Sequence, residues 1–235
     1  MKLNGATIPD SVVQRVVERR GSEHCFAQLD PAHTALVVID LQHAFMNDAV
    51  GHAVVPSARD IVPAVNRLAA AVRQTGGGVF WVRMTHEEHC LADWSVAFEI
   101  ASPAMRQKRI AALTKGSLGY QLWPDLDVRP EDEIVDKYRY SGFLPGTSEL
   151  PDRLRAREFD TLLITGTVTN VCCESSARDA SMLNFRTIMV SDGNAANTQA
   201  EHDASLTAFY NVFGDVMDTD MIIAALERGK ASKAA

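Results

Sequence analysis

The chain of 235 residues contains no apolar run that approaches the roughly 20 residues of a membrane-spanning helix. Residues 1–7 have no apolar stretch of the kind found in secretory signal peptides, so we expect no leader. The four cysteines form neither a C-x-x-C pair nor a zinc-ligand spacing, which favours a reduced, cytoplasmic protein. A net charge of −7 disfavours a nucleic-acid-binding surface, so we expect neither nucleic-acid nor membrane partners.

Strand and helix patterns alternate along the chain. The continuous apolar run over 35–39 is typical of a strand buried on both faces, and the three glycines at 76–78 stop the helix before them. This alternation predicts an α/β fold of three layers, with helices on both faces of a six-stranded, mostly parallel sheet. The predicted strands span 35–39, 79–84, 133–136, 161–165, 186–190 and 215–217, and the predicted helices 58–74, 148–157, 172–184 and 200–212.

The sequence predicts one main domain over 31–228. Residues 1–30 are expected to form an N-terminal extension with a short helix that ends at Gly21, packed either on a neighbouring subunit or on its own domain. Residues 229–235 are expected to be a disordered tail. The stretch 85–130 is too long for an ordinary loop, so we expect it to contain a helix and a turn, and insertions of this length often cover active sites.

Three chemically reactive residues follow predicted strands. Asp40 and Lys137 come directly after their strands, and Cys172 follows the turn after a third. Because ligands bind at the carboxyl ends of strands in open parallel sheets, the three side chains are expected to converge. The predicted helix start at Cys172 would supply partial positive charge and free N–H groups, which predicts a thiolate near neutral pH and an oxyanion site.

This set of groups suits amide hydrolysis without histidine. Asp40 would take the thiol proton and later return it to the leaving amine. Lys137 would stabilise the carboxylate and thiolate charges, and Cys172 would attack the carbonyl carbon to give a thioester. Water activated by Asp40 would then complete the hydrolysis.

Three segments, 35–45, 137–143 and 166–180, carry a family resemblance. In this order they are similar to motifs of the isochorismatase-like cysteine hydrolase superfamily, which includes nicotinamidases, N-carbamoylsarcosine amidohydrolases and ureidoacrylate amidohydrolases. The resemblance spans roughly residues 33–225. It implies a catalytic triad of Asp40, Lys137 and Cys172, a cis peptide bond at Thr167–Val168, and an oxyanion hole formed by the backbone N–H groups of Val168 and Cys172.

The second and third segments look most like the ureidoacrylate and carbamoyl amidohydrolase branch. This resemblance implies hydrolysis of a C–N bond in a small amide, ureido or carbamoyl compound, by a homodimer or homotetramer without cofactor. Metal-binding relatives have an Asp-x-His pattern after the second strand, where this chain has Met84-Thr-His-Glu87, so we expect no metal. A catalytically silent binding protein and a redox sensor based on Cys172 and Cys173 remain as alternatives.

Several further residues have two interpretations. Cys173 is a rival nucleophile, but a step of about 100° along the helix turns it towards Ala177 and Ala180, which indicates packing. His86 and His89 are interpreted as part of a solvated or substrate-facing loop rather than as metal ligands. The run 106–109 is interpreted as charged residues on the surface rather than as an anion site. The candidate substrate-binding residues are Phe45, Trp94, Tyr140, Thr169 and Asn170, with core packing as the alternative for each aromatic ring.

Overall fold

The computed structural model describes residues 1–86 and 88–234. The strands are β1 Lys2–Leu3, β2 Ala6–Thr7, β3 Thr34–Ile39, β4 Gly78–Met84, β5 Glu133–Lys137, β6 Thr161–Thr167, β7 Arg186–Ala195 and β8 Asp215–Met217. The helices are α1 Asp10–Arg20, α2 His43–Met46, α3 Val62–Thr75, α4 Glu88–Asp93, α5 Ser95–Glu99, α6 Pro103–Leu113, α7 Leu150–Ala156, α8 Glu174–Met182, α9 Gln199–Val212 and α10 Thr219–Ala234.

Six strands form one sheet in the order β5-β4-β3-β6-β7-β8, and every neighbouring pair is parallel. The predicted α/β fold with three layers is therefore confirmed. β1 and β2 form a separate antiparallel pair. All six residues of the central strand β3 are buried, because helices cover the sheet on both sides.

Successive residues of β3 face opposite layers. Leu36 belongs to the apolar cluster that includes Leu68 and Val72 of α3, whereas Val37 belongs to the cluster that includes Ala177 of α8 and Phe209 of α9. This period of two follows from the pleat of the strand. Both layers therefore pack on the strand that leads directly to Asp40 at the carboxyl edge of the sheet.

The N-terminal extension packs on its own domain. Helix α1 ends at Gly21 with φ +78°, as predicted, and its buried residues Val12 and Val16 join the same cluster as Phe209 of α9. Beyond the helix, the ring of His24 lies 3.0 Å from a carboxylate oxygen of the buried Asp215. The structure thus shows packing within the chain, and packing on a neighbouring subunit stays a prediction.

Two segments differ from expectation. The expected disordered tail continues α10 as far as Ala234, because Gly229 packs so closely on the carbonyl of Leu29 that a Cβ would lie 2.1 Å from its oxygen, and Lys230 donates to Gln74 at 2.8 Å. The insertion contains three helices, α4, α5 and α6, rather than one. In the part of the chain that the structure describes, no helix is long and apolar enough to cross a bilayer.

Candidate active site

The carboxyl edge of the sheet brings Asp40, Lys137 and Cys172 together. Lys137 Nζ lies 2.8 Å from Asp40 Oδ2, and both side chains are fully buried. The Cys172 thiol is close enough to affect both groups, since it raises the pKa of Lys137 and lowers that of Asp40. Three residues that are distant in sequence thus form one buried cluster.

Asp40 has an unusual backbone conformation just after β3. Its φ is +56°, a left-handed value that Asp adopts more readily than most residues, and its N–H donates to Val82 at 2.9 Å. Nearby, the buried amide of Gln42 accepts from the Met84 N–H at 2.7 Å and donates to the carbonyls of Met84 at 3.0 Å and Tyr120 at 2.9 Å. Gln42 therefore fixes the end of β4 beside Asp40, a role that the sequence prediction missed.

Lys137 is held as an ammonium by several acceptors. Besides Asp40, its Nζ contacts the carbonyl of Arg139 at 3.0 Å and Met84 Sδ at 3.4 Å. Burial alone would lower the pKa of Lys137, but the negative charge of Asp40 outweighs this effect and raises it, and Cys172 adds to the rise at the high pH where its thiol ionises. The side chain therefore keeps its positive charge at neutral pH.

The Asp40 carboxylate is suited to accept a proton. Burial raises its pKa above the ordinary value, against the lowering effect of Lys137. Hydrogen bonds from Lys137, Cys172 and the Met84 backbone also lower the pKa, but together these effects do not outweigh burial. Asp40 is thus more basic than an exposed carboxylate.

The prediction that Cys172 is a thiolate near neutral pH is wrong. Burial raises the pKa of the Cys172 thiol to about 12, and although Lys137 lowers it, the Asp40 carboxylate raises it further. Cys172 also lies in a π-helical turn, Thr169–Cys173, before α8 begins at Glu174, and so outside the first turn of that helix. The thiol is protonated at neutral pH and needs a base to become a nucleophile.

The turn before Cys172 contains the cis peptide bond that the family resemblance implies. The peptide bond Thr167–Val168 is cis. Within the described residues, the Val168 N–H donates to no acceptor. Val168 and Cys172 both line a cavity of about 360 Å³ at this edge of the sheet. Gly166 has φ +119°, and a Cβ there would lie 2.0 Å from the carbonyl oxygen of Ile39, so only glycine allows this close approach of β6 to β3.

Cys173 faces away from this cavity. Its side chain is fully buried in the cluster that contains Ala177 and Ala180, and its Sγ lies 3.9 Å from the carbonyl oxygen of Thr165. The sequence interpretation of Cys173 as a packing residue agrees with this position.

This cavity of about 360 Å³ opens beside Cys172. Phe45 and Tyr140 line it, as predicted, and the ring of Trp94 packs edge-on against Tyr140 with centroids 4.8 Å apart. Two candidates lie elsewhere. The hydroxyl of the fully buried Thr169 is 2.9 Å from His202 Nδ1, and Asn170 is exposed outside the cavity lining.

The surface interpretation of the 106–109 run is wrong for Arg109. Its side chain is buried, lines the cavity, and donates from Nε to His86 Nε2 at 2.9 Å. His86 is likewise buried, so of its two alternatives the solvated one does not hold, while Glu87 and the side chain of His89 lie outside the described residues. Among the described residues, no three His, Cys, Asp or Glu side chains are arranged to hold a metal ion.

Comparison with known proteins identifies the family. The isochorismatase domain model matches residues 34–221. The chain belongs to the isochorismatase family. A ureidoacrylate amidohydrolase RutB of Pseudomonas savastanoi pv. phaseolicola is 30% identical over 233 residues, which cover 92% of this chain and 91% of that protein. Another, from Methylobacterium radiotolerans, is 32% identical over 220 residues, which cover 84% and 81%.

Solved structures of the family share this fold. A cysteine hydrolase from Pseudomonas syringae pv. phaseolicola 1448A superposes with a TM-score of 0.76 at 30% identity, over 86% of this chain and 95% of that one. An N-carbamoylsarcosine amidase from Thermoplasma acidophilum superposes with a TM-score of 0.65 at 25% identity, over 80% and 96%. The family resemblance predicted from the three segments is confirmed.

Proposed function

We propose that this protein is a cysteine amidohydrolase that cleaves the C–N bond of a small ureido or carbamoyl compound. The observation that carries the proposal is the buried contact of Asp40 with Lys137 beside the Cys172 thiol, on the wall of a cavity. Relatives named ureidoacrylate amidohydrolase support this substrate class. Ureidoacrylate is therefore the substrate that we propose to test first.

The reaction begins with a proton transfer from Cys172 to Asp40. With a thiol pKa of about 12, Cys172 is a weak nucleophile until the carboxylate takes its proton. Sγ then bonds to the carbonyl carbon, and the C=O electron pair moves to the oxygen. The ammonium of Lys137 offsets the negative charge that has moved to sulfur.

The tetrahedral oxyanion is assigned to the backbone N–H groups of Val168 and Cys172. The free N–H of Val168, on the cavity wall, supports this assignment. The C–N bond then breaks, and the protonated Asp40 returns its proton to the leaving nitrogen. The carbonyl carbon remains bonded to sulfur as a thioester-type intermediate.

Hydrolysis of the intermediate uses the same carboxylate. Asp40 takes a proton from water, the hydroxyl attacks the carbonyl carbon, and the C–S bond breaks. The proton on Asp40 returns to sulfur, which restores the thiol, and carbamate leaves when the substrate is a ureido compound. No external oxidant or reductant is required.

The test compares two alanine variants of adjacent cysteines. Cys172→Ala should lose hydrolysis of ureidoacrylate, measured as ammonia release, because no other described cysteine lines the cavity. Cys173→Ala is the matched control and should retain turnover, since its thiol is packed in the core. Full turnover by Cys172→Ala would refute the proposed role.

The setting and assembly of the protein are part of the proposal. We propose a reduced, cytoplasmic environment, which the four free cysteines support. We also propose a homodimer or homotetramer, which light scattering in solution would test. A redox sensor built on Cys172 and Cys173 would instead oxidise reversibly and show no hydrolysis.

A further inference from the structure

We propose that Arg109 binds a carboxylate group of the substrate, so that the protein selects ureido or amide compounds that are also carboxylic acids. This inference rests on the proposed function and names the substrate class of the same cavity. Arg109 and Cys172 both line that cavity of about 360 Å³, so a molecule that fills it can contact both groups. Arg109 would then be a specificity-determining residue rather than a participant in bond cleavage.

The position of the guanidinium is fixed by its surroundings. Arg109 lies on α6 and is only 8% exposed. Three aromatic rings surround its Cζ atom, with centroid distances of 5.1 Å to Trp94, 5.2 Å to Phe98 and 5.6 Å to Tyr140. Such contacts hold the cation by its faces, and leave its N–H edge available for a hydrogen-bonded partner.

Among the residues that the structure describes, the charge of Arg109 has no anionic partner. Among the described residues, its one hydrogen bond runs from Nε to His86 Nε2, and no carboxylate lies within 4.0 Å. Burial, with a further effect of Arg109, lowers the pKa of His86 to about 3, so this partner is neutral at physiological pH. A buried positive charge without a counter-ion is costly, which is the condition that an anionic ligand relieves.

The described lining of the cavity supplies no compensating negative charge. Its described lining contains no aspartate or glutamate. His52 lines it too, and burial lowers the pKa of that ring to about 4, so it is neutral as well. The only nearby carboxylate of the catalytic cluster, Asp40, is already paired with Lys137.

A carboxylate fits this site better than other anions. The two terminal N–H groups of a guanidinium match the two oxygens of a carboxylate in a planar, bidentate pair. The walls around Arg109 are largely apolar, with Met105, Leu113 and Val171 among them, so a larger phosphate would lack further donors. The resulting substrate carries a carboxylate at one end and the scissile carbonyl at the other.

The kinetic test pairs a charged substrate with a neutral one. The value of kcat/KM is measured for ureidoacrylate and for its methyl ester with the wild type, Arg109→Gln and Lys108→Gln. Arg109→Gln should reduce the value for the acid by about 30-fold or more, since truncating one side of a buried charge pair has effects of this size. The same change should alter the value for the ester by less than about threefold.

Lys108→Gln is the matched control. Lys108 precedes Arg109 on the same helix, is exposed, and loses the same charge on substitution. It should leave the ratio of acid to ester turnover unchanged. Arg109→Lys keeps the charge without the bidentate fork, so its ratio should fall between those of the wild type and Arg109→Gln.

Binding to an inactive enzyme separates this inference from the proposed function. Calorimetry of Cys172→Ala with ureidoacrylate should detect binding that weakens strongly when Arg109→Gln is added. If the wild type hydrolyses neither compound but this binding is found, the proposed function fails and the inference stands.

Other results would overturn the inference while leaving the proposed function intact. One is equal turnover of acid and ester by the wild type, and another is an equal loss for both compounds in Arg109→Gln, which would indicate a purely structural role. Absence of ureidoacrylate binding to Cys172→Ala would also overturn it. If Arg109→Gln does not fold, the wild type is compared with Arg109→Lys. An unchanged ratio of acid to ester turnover in Arg109→Lys would then overturn the inference.

Discussion

Substitution of Lys137 by methionine should destabilise the protein strongly, although the change conserves volume. Lys137 and Asp40 are both fully buried and 2.8 Å apart. At an effective dielectric constant of about 20, this distance corresponds to an attraction of about 6 kcal/mol. Much of that is offset by the cost of removing both ions from water, so the measured loss should be about 3–5 kcal/mol.

The loss arises from the carboxylate that remains. In Lys137→Met, Asp40 is buried without its cation, so its pKa rises further and the folded state retains a proton that the unfolded state releases. The penalty should therefore be largest at high pH and should shrink as pH falls towards about 4, the ordinary pKa of an unfolded aspartate. Adding Asp40→Asn should restore most of the stability, because asparagine tolerates the φ of +56° and carries no charge.

The free energies of unfolding of Lys137→Met, Asp40→Asn and the double variant are measured by urea denaturation at several pH values. Arg186→Met is the control, since its pair with Asp160 has the same 2.8 Å separation but lies half exposed. That change should cost less than about 1 kcal/mol. The reasoning would be refuted if Lys137→Met cost no more than this control, or if Asp40→Asn failed to restore stability in the double variant.

Three further predictions use other measurements. Iodoacetamide should modify Cys172 before Cys173, slowly at pH 7 because the Cys172 thiol has a pKa of about 12, and peptide mass spectrometry giving the opposite order would contradict the site. The acid limb of kcat/KM should lie above pH 4, because burial raises the pKa of Asp40, and a limb at or below pH 4 would argue against Asp40 as the base. Burial alone would lower the pKa of His24, but the Asp215 carboxylate outweighs this effect and raises the pKa. The His24–Asp215 pair therefore stabilises the folded state fully below about pH 6.5, and this contribution is lost as pH rises through the raised pKa. His24→Gln should therefore cost about 2 kcal/mol at pH 5.5 and clearly less at pH 8 in urea titrations, and an equal cost at both would disprove the charge contribution.

The convergence of the three reactive residues was predictable because it depends on topology. The rule that parallel strands present their carboxyl ends at one edge needs only strand positions, and the strands predicted before Asp40 and Lys137 match the observed ones to within one residue. The helix after Cys172 was also predicted, but its start was not. Cys172 lies in a π-helical turn before α8, and such a turn has no signal in the sequence pattern.

The protonation state of Cys172 was not predictable in the same way. The sequence argument used the local effect of a helix start, which favours a thiolate. Burial of the thiol raises its pKa and outweighs that local effect. The extent of burial depends on the tertiary packing around Cys172, which the sequence pattern does not give. The same limit applies to Thr169, whose hydroxyl is bonded to His202 on a helix that lies 30 residues later in the chain.

Arg109, by contrast, had a signal that the interpretation of 106–109 as one charged run obscured. Side chains four apart lie on one face of a helix, and Arg109 is spaced in this way from Met105 and Leu113, which both line the cavity. Its charged neighbours point elsewhere, since Lys108 is exposed and Arg106 donates to the carbonyl of Ala101. An arginine on the apolar face of a helix that covers an active site must either find a counter-ion in the protein or receive one from a ligand. Because the described residues supply none, the substrate is the source that the acid and ester comparison examines.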